Sequence, residues 1–313
     1  MDTKISVILA VYNGEKFLKQ QVESILTQTY RNIELVILDD ASKDKSFEIV
    51  QALAASDARV KVHRNAKNLG VVANFMKGLS CAQGDLVCFS DQDDCWRRDK
   101  LEILEALIRR DRQTTLVYSD LEVCDEALEC IRPSFWSVAR IRPRKGYLKE
   151  LAVLRNLAPG CSMLFRKEVK DAIIKAPGEN PFMHDHLAFV VSGGLGSIDY
   201  TPEKLVKYRQ HGQNNIGAFN PSVFSKTLFI QGLRRKIDYL KCIQADSFEM
   251  DLGSLERFYG CLRDLRSRMR WPVIKYFLFL RNDTAWDKFM GVLECFFPRA
   301  YRAAAARMNG EAA

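Results

Sequence analysis

No two of the nine cysteines in this sequence form a C-x-x-C pair. Cys81, Cys88, Cys95, Cys124, Cys130, Cys161, Cys242, Cys261 and Cys295 are odd in number and scattered, so they read as reduced, mostly buried thiols of a cytosolic protein rather than a zinc site. No G-x-G-x-x-G follows the first apolar run and no G-x-x-x-x-G-K-[ST] occurs anywhere, which removes support from a dinucleotide oxidoreductase and a P-loop NTPase. No apolar run is long enough to span a bilayer. The start, Met1 to Ile5, carries no basic leader or cleavage site, so export is not expected. Internal repeats and low-complexity segments are also lacking.

What remains is a chain of 313 residues, 47% hydrophobic, with enough apolar content for one large domain or one domain with an appendage. Its net charge of +8 is uneven: residues 225–313 hold 16 Lys/Arg against 10 Asp/Glu, which is +6 of the total. A basic tail suits an anionic membrane or nucleic acid, although a solvated helical face gives the same balance.

Short apolar runs alternate with amphipathic ones through the first half, as in a parallel sheet with crossover helices. Strands are expected at Ile5 to Val11, Ile33 to Leu38, Val60 to His63, Leu86 to Phe89, Leu116 to Ser119, Cys161 to Phe165 and Ile198 to Tyr200. Helices are expected after Asn13, read as a cap, then at Asp44 to Ala54, Val71 to Cys81, from Asp99 to about Arg112, and from near His184 through Ser192. Residues 131–147 read as a loop or linker, and the pattern from Pro221 onward is helical. Ligands of open parallel sheets bind outside the carboxyl ends of the strands. Tyr12, Asp39, Asp40 and Ser90 to Asp94 should therefore gather at one edge.

Ser90-Asp91-Gln92-Asp93-Asp94 is the most informative segment, because three carboxylates in a short loop repel one another unless a cation offsets them. Carboxylate oxygens suit Mg²⁺ or Mn²⁺, which also take ligands from substrate phosphates. A solvated acidic turn capping the next helix is the plainer alternative. Asp39 and Asp40 end the second strand, where a carboxylate can accept the imide N–H of uracil or thymine while Tyr12 offers a stacking face. Taken singly, each of these is an ordinary turn residue.

The set resembles glycosyltransferase family 2, whose nucleotide-binding sheet is called GT-A. The resembling stretches are Ile5 to Gly14, Ser24 to Tyr30, Asp39 to Asp44, Asn68-Leu69-Gly70 with Ala73-Asn74, and the Asp91 to Asp94 loop, within roughly residues 3–215. Asp91-Gln92-Asp93-Asp94-Cys95-Trp96 and Tyr208-Arg209-Gln210-His211-Gly212 resemble a rhamnosyltransferase-like branch. The chain departs from the family at Ala41, where Gly is usual, and at Val72, where Arg is usual. The first departure bears on turn geometry, since Gly tolerates a positive φ that Ala resists.

The resemblance implies an α/β catalytic domain over 1–215, with a mostly parallel GT-A-like sheet flanked by helices, and a helical C-terminal extension over 216–313. It implies inverting, metal-dependent transfer of a sugar, rhamnose by branch, from a dTDP- or UDP-sugar to a hydroxyl of a growing bacterial surface polysaccharide. Ala10, Tyr12, Asp39, Asp40, Asn68, Asp91 and Arg209 would bind the donor. Asp91, Asp93 and His211 would serve Mg²⁺ or Mn²⁺. Asp185, in Met183-His184-Asp185-His186, would be the catalytic base, since a carboxylate taking the acceptor proton as the bond forms contributes about a hundredfold to ten-thousandfold.

Trp96, His184 and His186 would lie on the acceptor side, although core packing is the commoner role for Trp96 and structural roles are commoner for lone histidines. In the tail, Arg266, Arg268, Arg270, Lys275 and Arg281 surround Trp271 and Tyr276 to Leu280, as in an interfacial helix or a packed helical appendage. Membrane contact would suit a lipid-linked acceptor at the inner face of the cell membrane; no nucleic-acid partner is expected. A sugar-phosphate nucleotidyltransferase and a non-catalytic sugar- or partner-binding module remain as alternatives.

Overall fold

The computed structural model describes residues 3–139, 141, 143, 152–153, 156–176, 178, 180–212, 226–243 and scattered positions from 248 to 259. The tail stretch 266–297, read as an interfacial helix or a packed helical appendage, lies outside the described residues.

The strands are β1 (Ile5–Val11), β2 (Ile33–Asp39), β3 (Val60–Arg64), β4 (Leu86–Ser90), β5 (Cys95–Trp96), β6 (Thr114–Cys124), β7 (Cys130–Arg132), β8 (Met163–Arg166) and β9 (Ser197–Arg209). They form one sheet in the order β3-β2-β1-β4-β8-β6-β9-β5, with β7 on β6. The half containing β3, β2, β1 and β4 is parallel throughout. Beyond β4 the sheet is mixed, because β8 runs antiparallel to both β4 and β6 whereas β6 and β9 are parallel.

The helices are α1 (Leu18–Leu26), α2 (Ser46–Ser56), α3 (Val71–Cys81), α4 (Lys100–Arg109), α5 (Phe135–Ala139), α6 (Lys167–Lys175), α7 (His184–Leu195) and α8 (Lys226–Leu240). Strands β1 and β2 are almost continuously apolar because helices cover both of their faces. Alternation still sorts their side chains: Ile8, Val36 and Leu38 join one core cluster with Phe75 and Phe89, while Val7, Leu9, Leu35 and Ile37 join another with Ile25 and Leu104. Chain order reverses at β1, which has β2 on one side and β4 on the other, so their carboxyl ends splay into a topological switch point.

Several expectations are corrected here. Asn13 does not cap α1, which starts at Leu18 after Phe17 and Leu18 donate to the Gly14 carbonyl. It sits instead at φ +50° and accepts from the Lys43 backbone at 2.8 Å, stitching the ends of β1 and β2 together. Residues 130–139 are not a plain loop but β7 followed by α5. Strands β6 and β9 extend well past the apolar cores that announced them, because β9 takes polar residues into the edge ladder with β6.

The described part of the C-terminal region packs on the sheet domain. Leu233, Ile237 and Leu240 of α8 are buried in the same cluster as Phe165 and Phe189. A side chain at Gly194 of α7 would come within 2.1 Å of the Phe248 ring, so the close approach of these segments requires glycine there.

The turn after β2 stores strain. Ala41 has φ +59°, a left-handed conformation that costs an L-residue about 1–2 kcal/mol. Part of that is offset by the greater freedom glycine has in the unfolded chain. Ala41→Gly should therefore raise stability by about 0.5–1 kcal/mol, or Tm by roughly 2 °C, in a thermal melt. An unchanged or lower Tm would show that the turn carries no strain.

Candidate active site

The carboxyl ends of β1, β2 and β4 meet as the residue pattern requires. Tyr12 follows β1 and is 43% exposed. The Gln92 amide clamps its backbone: Tyr12 N–H donates to Gln92 Oε1 at 2.8 Å, and Gln92 Nε2 donates to the Tyr12 carbonyl at 3.1 Å. Residue type alone gave no signal for this link, which ties the acidic loop to the end of β1. Ala10, half-buried, pairs with Leu38 one step earlier.

Asp40 is buried and committed to the loop before α3. Its Oδ1 accepts from Asn65 Nδ2 at 2.7 Å and Leu69 N at 2.8 Å, and its Oδ2 accepts from Gly70 N at 2.9 Å. Gly70 sits at φ +83°, where glycine is at home, and the exposed Asn68 shares its N–H at 3.0 Å. Asn74 extends the network by accepting from Asn65 at 2.8 Å and donating to the Leu38 carbonyl at 2.9 Å. Asp39 differs from its neighbour. Its Oδ2 accepts from Ser42 N and pairs with Arg64 Nε, each at 3.2 Å, whereas the buried Oδ1 has no protein partner. Of the two carboxylates, Asp39 keeps an uncommitted oxygen, whereas both oxygens of Asp40 are taken up by the loop before α3.

The acidic loop brings like charges together. Asp91 is half-buried, and its carboxyl is pushed up to about 7 by burial and by Asp93 and Asp185, with Lys100 opposing. Asp94 is fully buried and pushed well above the usual carboxylate range by burial, Asp93 and Asp91. Its Oδ1 accepts from Arg209 N at 3.2 Å. Asp93 Oδ2 meets His211 Nε2 at 2.8 Å, and the His211 ring lies 5.0 Å from that of Phe17.

Arg209 is not placed as a diphosphate contact. It is 2% exposed and donates through Nε to the Asp93 carbonyl at 2.6 Å, through Nη2 to Gln20 Oε1 at 2.6 Å, and through Nη1 to the Glu126 carbonyl. Its guanidinium carbon also lies 4.3 Å from the Phe17 ring centroid. Five planar donors suit it to bracing the loop from behind.

Burial likewise revises the acceptor-side expectation. Trp96 is packed in the core, with Lys100 Nζ 3.1 Å from its ring centroid. His184 stacks on Phe75 at 3.8 Å and meets Phe89 edge-on at 4.9 Å. His186 Nε2 lies 2.7 Å from the Ala152 carbonyl. Burial pushes both histidines down to about 3, so they are neutral, structural rings.

Asp185 occupies the first turn of α7, half-buried, with Oδ1 accepting from His186 N at 2.7 Å. Burial pushes it up to about 6, while hydrogen bonds from the Gly160 backbone and the Asn156 side chain hold it down. A Cβ at Gly160 would meet Asp185 Cβ at 3.3 Å and Cβ of Phe89 in β4 at 3.5 Å, so the start of α7 lies beside the end of β4.

This donor set fits a hard divalent cation. Ligand atoms of Asp91, Asp94 and Cys161 lie within 4.8 Å of one another. The Cys161 thiol is pushed well above its usual range by burial and by Asp94 and Asp91, so it stays protonated and leaves the carboxylates as the ligands.

A sequence profile described as Glycosyl transferase family 2 matches residues 6–172, more than half of the chain. The chain belongs to glycosyl transferase family 2. It is 27% identical over 221 residues to an uncharacterized glycosyltransferase of Haemophilus influenzae, covering 69% of this chain and 68% of that one. Of some other relatives it spans as little as 34% of the length. Among solved structures it is similar to Staphylococcus aureus TarS 1-349, which was crystallised with UDP-GlcNAc (TM-score 0.60, 20% identity, 94% of this chain and 80% of that one). It is also similar to the mannosyltransferase PcManGT of Pyrobaculum calidifontis, in complex with GDP-Man and Mn²⁺ (TM-score 0.52, 15% identity, 99% and 87%). These structural likenesses establish the GT-A-like fold. No helix among the described residues is long and apolar enough to cross a membrane.

Within this family 2 site, Asp185 carries a measurable cost. Its folded-state pKa of about 6 lies above the ordinary 3.8, so ionisation above pH 6 destabilises the fold and the penalty fades as pH falls from about 6 towards 4. Asp185→Asn should therefore be more stable than the parent at pH 8 by roughly 2 kcal/mol in denaturant melts. That advantage should shrink through the same window. A variant less stable at pH 8 would contradict the buried-charge account.

Proposed function

We propose that the chain transfers a sugar, with inversion, from a nucleoside diphosphate donor to a hydroxyl of a growing bacterial surface polysaccharide. The observation that carries this reading is the switch point of the sheet, where the ends of β1, β2 and β4 bring Tyr12, Asp39 and the Asp91 to Asp94 loop to one edge. We assign catalysis to residues 1–215 and regard 216–313 as a helical extension. Rhamnose on a dTDP carrier is the donor we expect, from the branch resemblance at Asp91 to Trp96 and Tyr208 to Gly212.

Tyr12 offers an exposed face to a pyrimidine base, and Asp39 Oδ1 has lone pairs for its imide N–H. The exposed Asn68 lies on the same rim. Asp91 would hold Mg²⁺ or Mn²⁺ together with Asp94, whose ligand atoms lie close to its own, and with Asp93 and its partner His211, the ligands that the resemblance implies. When bound, that ion would neutralise charge on the departing diphosphate. Asp185 accepts the proton of the acceptor hydroxyl as its oxygen bonds to the anomeric carbon. The bond from that carbon to the diphosphate oxygen breaks on the opposite face, and nucleoside diphosphate leaves. A carboxylate whose pKa is lifted to about 6 is a stronger base than an ordinary Asp and still ionised at neutral pH.

A screen of nucleotide sugars for Mn²⁺-dependent thermal stabilisation should reveal one that raises Tm by mass action. With that donor, kcat/KM should fall below pH about 6 as Asp185 takes up a proton. Asp185→Ala should lower kcat by about a hundredfold to ten-thousandfold while the donor still stabilises the fold. Pyrophosphate rather than nucleoside diphosphate as product, or full activity of Asp185→Ala, would sink the reading.

A further inference from the structure

Strand pairing between β1 and β4 ends at Leu9 and Ser90, so the chain beyond each strand is held by something other than the ladder. On the β2 side the neighbours of Tyr12 are fixed: the Val11 carbonyl accepts from Asp40 N at 2.8 Å, and Asn13 N donates to Ser42 Oγ at 3.1 Å. On the β4 side the Gln92 side chain stands in for a strand. Its amide accepts the Tyr12 N–H at 2.8 Å and donates to the Tyr12 carbonyl at 3.1 Å. Among the described residues no other hydrogen bond reaches the Tyr12 backbone. A primary amide offers a donor and an acceptor side by side, which neither Glu nor Leu can do.

Gly14 leaves the room for that amide. A Cβ there would lie 2.3 Å from Gln92 Oε1 and 2.5 Å from Gln92 Cδ, too close for both to stay. The acidic loop itself does not depend on the link, because Arg209 holds it separately through the Asp93 carbonyl and the Asp94 carboxylate. Dependence therefore runs one way, from Tyr12 to Gln92.

We propose that Gln92 is a positioning residue of the donor site, which from within the acidic loop fixes the Tyr12 backbone, and with it the exposed Tyr12 ring, for stacking on the base. The inference rests on the proposed reading of Tyr12 as the base platform and of the loop as the diphosphate site. A platform already in place lowers the cost of binding, since a free one would have to be immobilised each time a donor docks. Because Gln92 stands between Asp91 and Asp93, one side chain sets the reach from base to diphosphate.

The probes are dTDP and UDP, each titrated calorimetrically with Mn²⁺ present. Gln92→Leu should bind the probe that the parent prefers about tenfold more weakly, the equilibrium cost of ordering one residue. Gly14→Ala keeps the glutamine but takes its space, and should lose a similar factor; it decides the matter if Gln92→Leu does not fold. In a Tyr12→Ala background no ring is left to hold, so adding Gln92→Leu should change affinity by less than about twofold. A loop residue with only a structural role would cost the same with or without that ring. Affinity within about twofold of the parent in both Gln92→Leu and Gly14→Ala, or an undiminished loss in the Tyr12→Ala background, would overturn the role of Gln92. A parent that binds neither probe would instead refute the donor site on which the inference rests.

Discussion

The repulsion among Asp91, Asp93, Asp94 and Asp185, gathered where little water reaches, is the constraint around which the rest of the site is arranged. Burial and mutual charge raise the proton affinity of Asp91 and Asp94, so leaving them ionised costs folding free energy. The fold bears that cost by fixing the loop from several sides. Arg209 braces it through the Asp93 carbonyl and its own backbone N–H on Asp94, and Gln92 anchors it to Tyr12. A loop held this firmly can keep like charges close, which is what binding a polyanion with its cation would need.

The same logic separates the paired acids after β2. Asp40 faces backbone N–H groups and organises the turn before α3. Asp39, one residue earlier on the opposite face of the strand, keeps one oxygen without a partner. Neighbouring residues of one type thus divide between holding the fold and facing a ligand. What divides them is the pleat of the strand and the loop that returns to it.

Much of the fold was legible in the sequence. The bounds of β1 and α3 follow directly from apolar runs and helical spacing, and α7 starts at His184 as expected. Less legible were the mixed half of the sheet and the directions of polar side chains. Asn13 looks like a helix cap until its φ of +50° aims it at Lys43 instead. Arg209 looks like a phosphate ligand, but its position at the end of β9 turns it inward across 116 residues of sequence to Asp93. Trp96, His184 and His186 are packed in the core, the role that is commoner for a Trp or a lone His, rather than left free for an acceptor. Gln92 carried no signal of its own, because a glutamine in a polar loop is ordinarily solvated. Such roles depend on long-range register, which local patterns do not encode.

The Ala41 departure shows how the sequence still constrains what the pattern leaves open. Gly is usual in the family at this position, and the backbone here takes the positive φ that Gly would favour. The turn therefore keeps its shape against the preference of its own residue. It is held by contacts on either side: Asp39 accepts from Ser42, Ser42 accepts from Asn13, and Arg64 donates to the Ser42 carbonyl at 3.0 Å. These are the bonds that fix the end of β2 against the end of β1. A local cost is tolerated because relaxing the turn would break the alignment of strand ends on which the site depends.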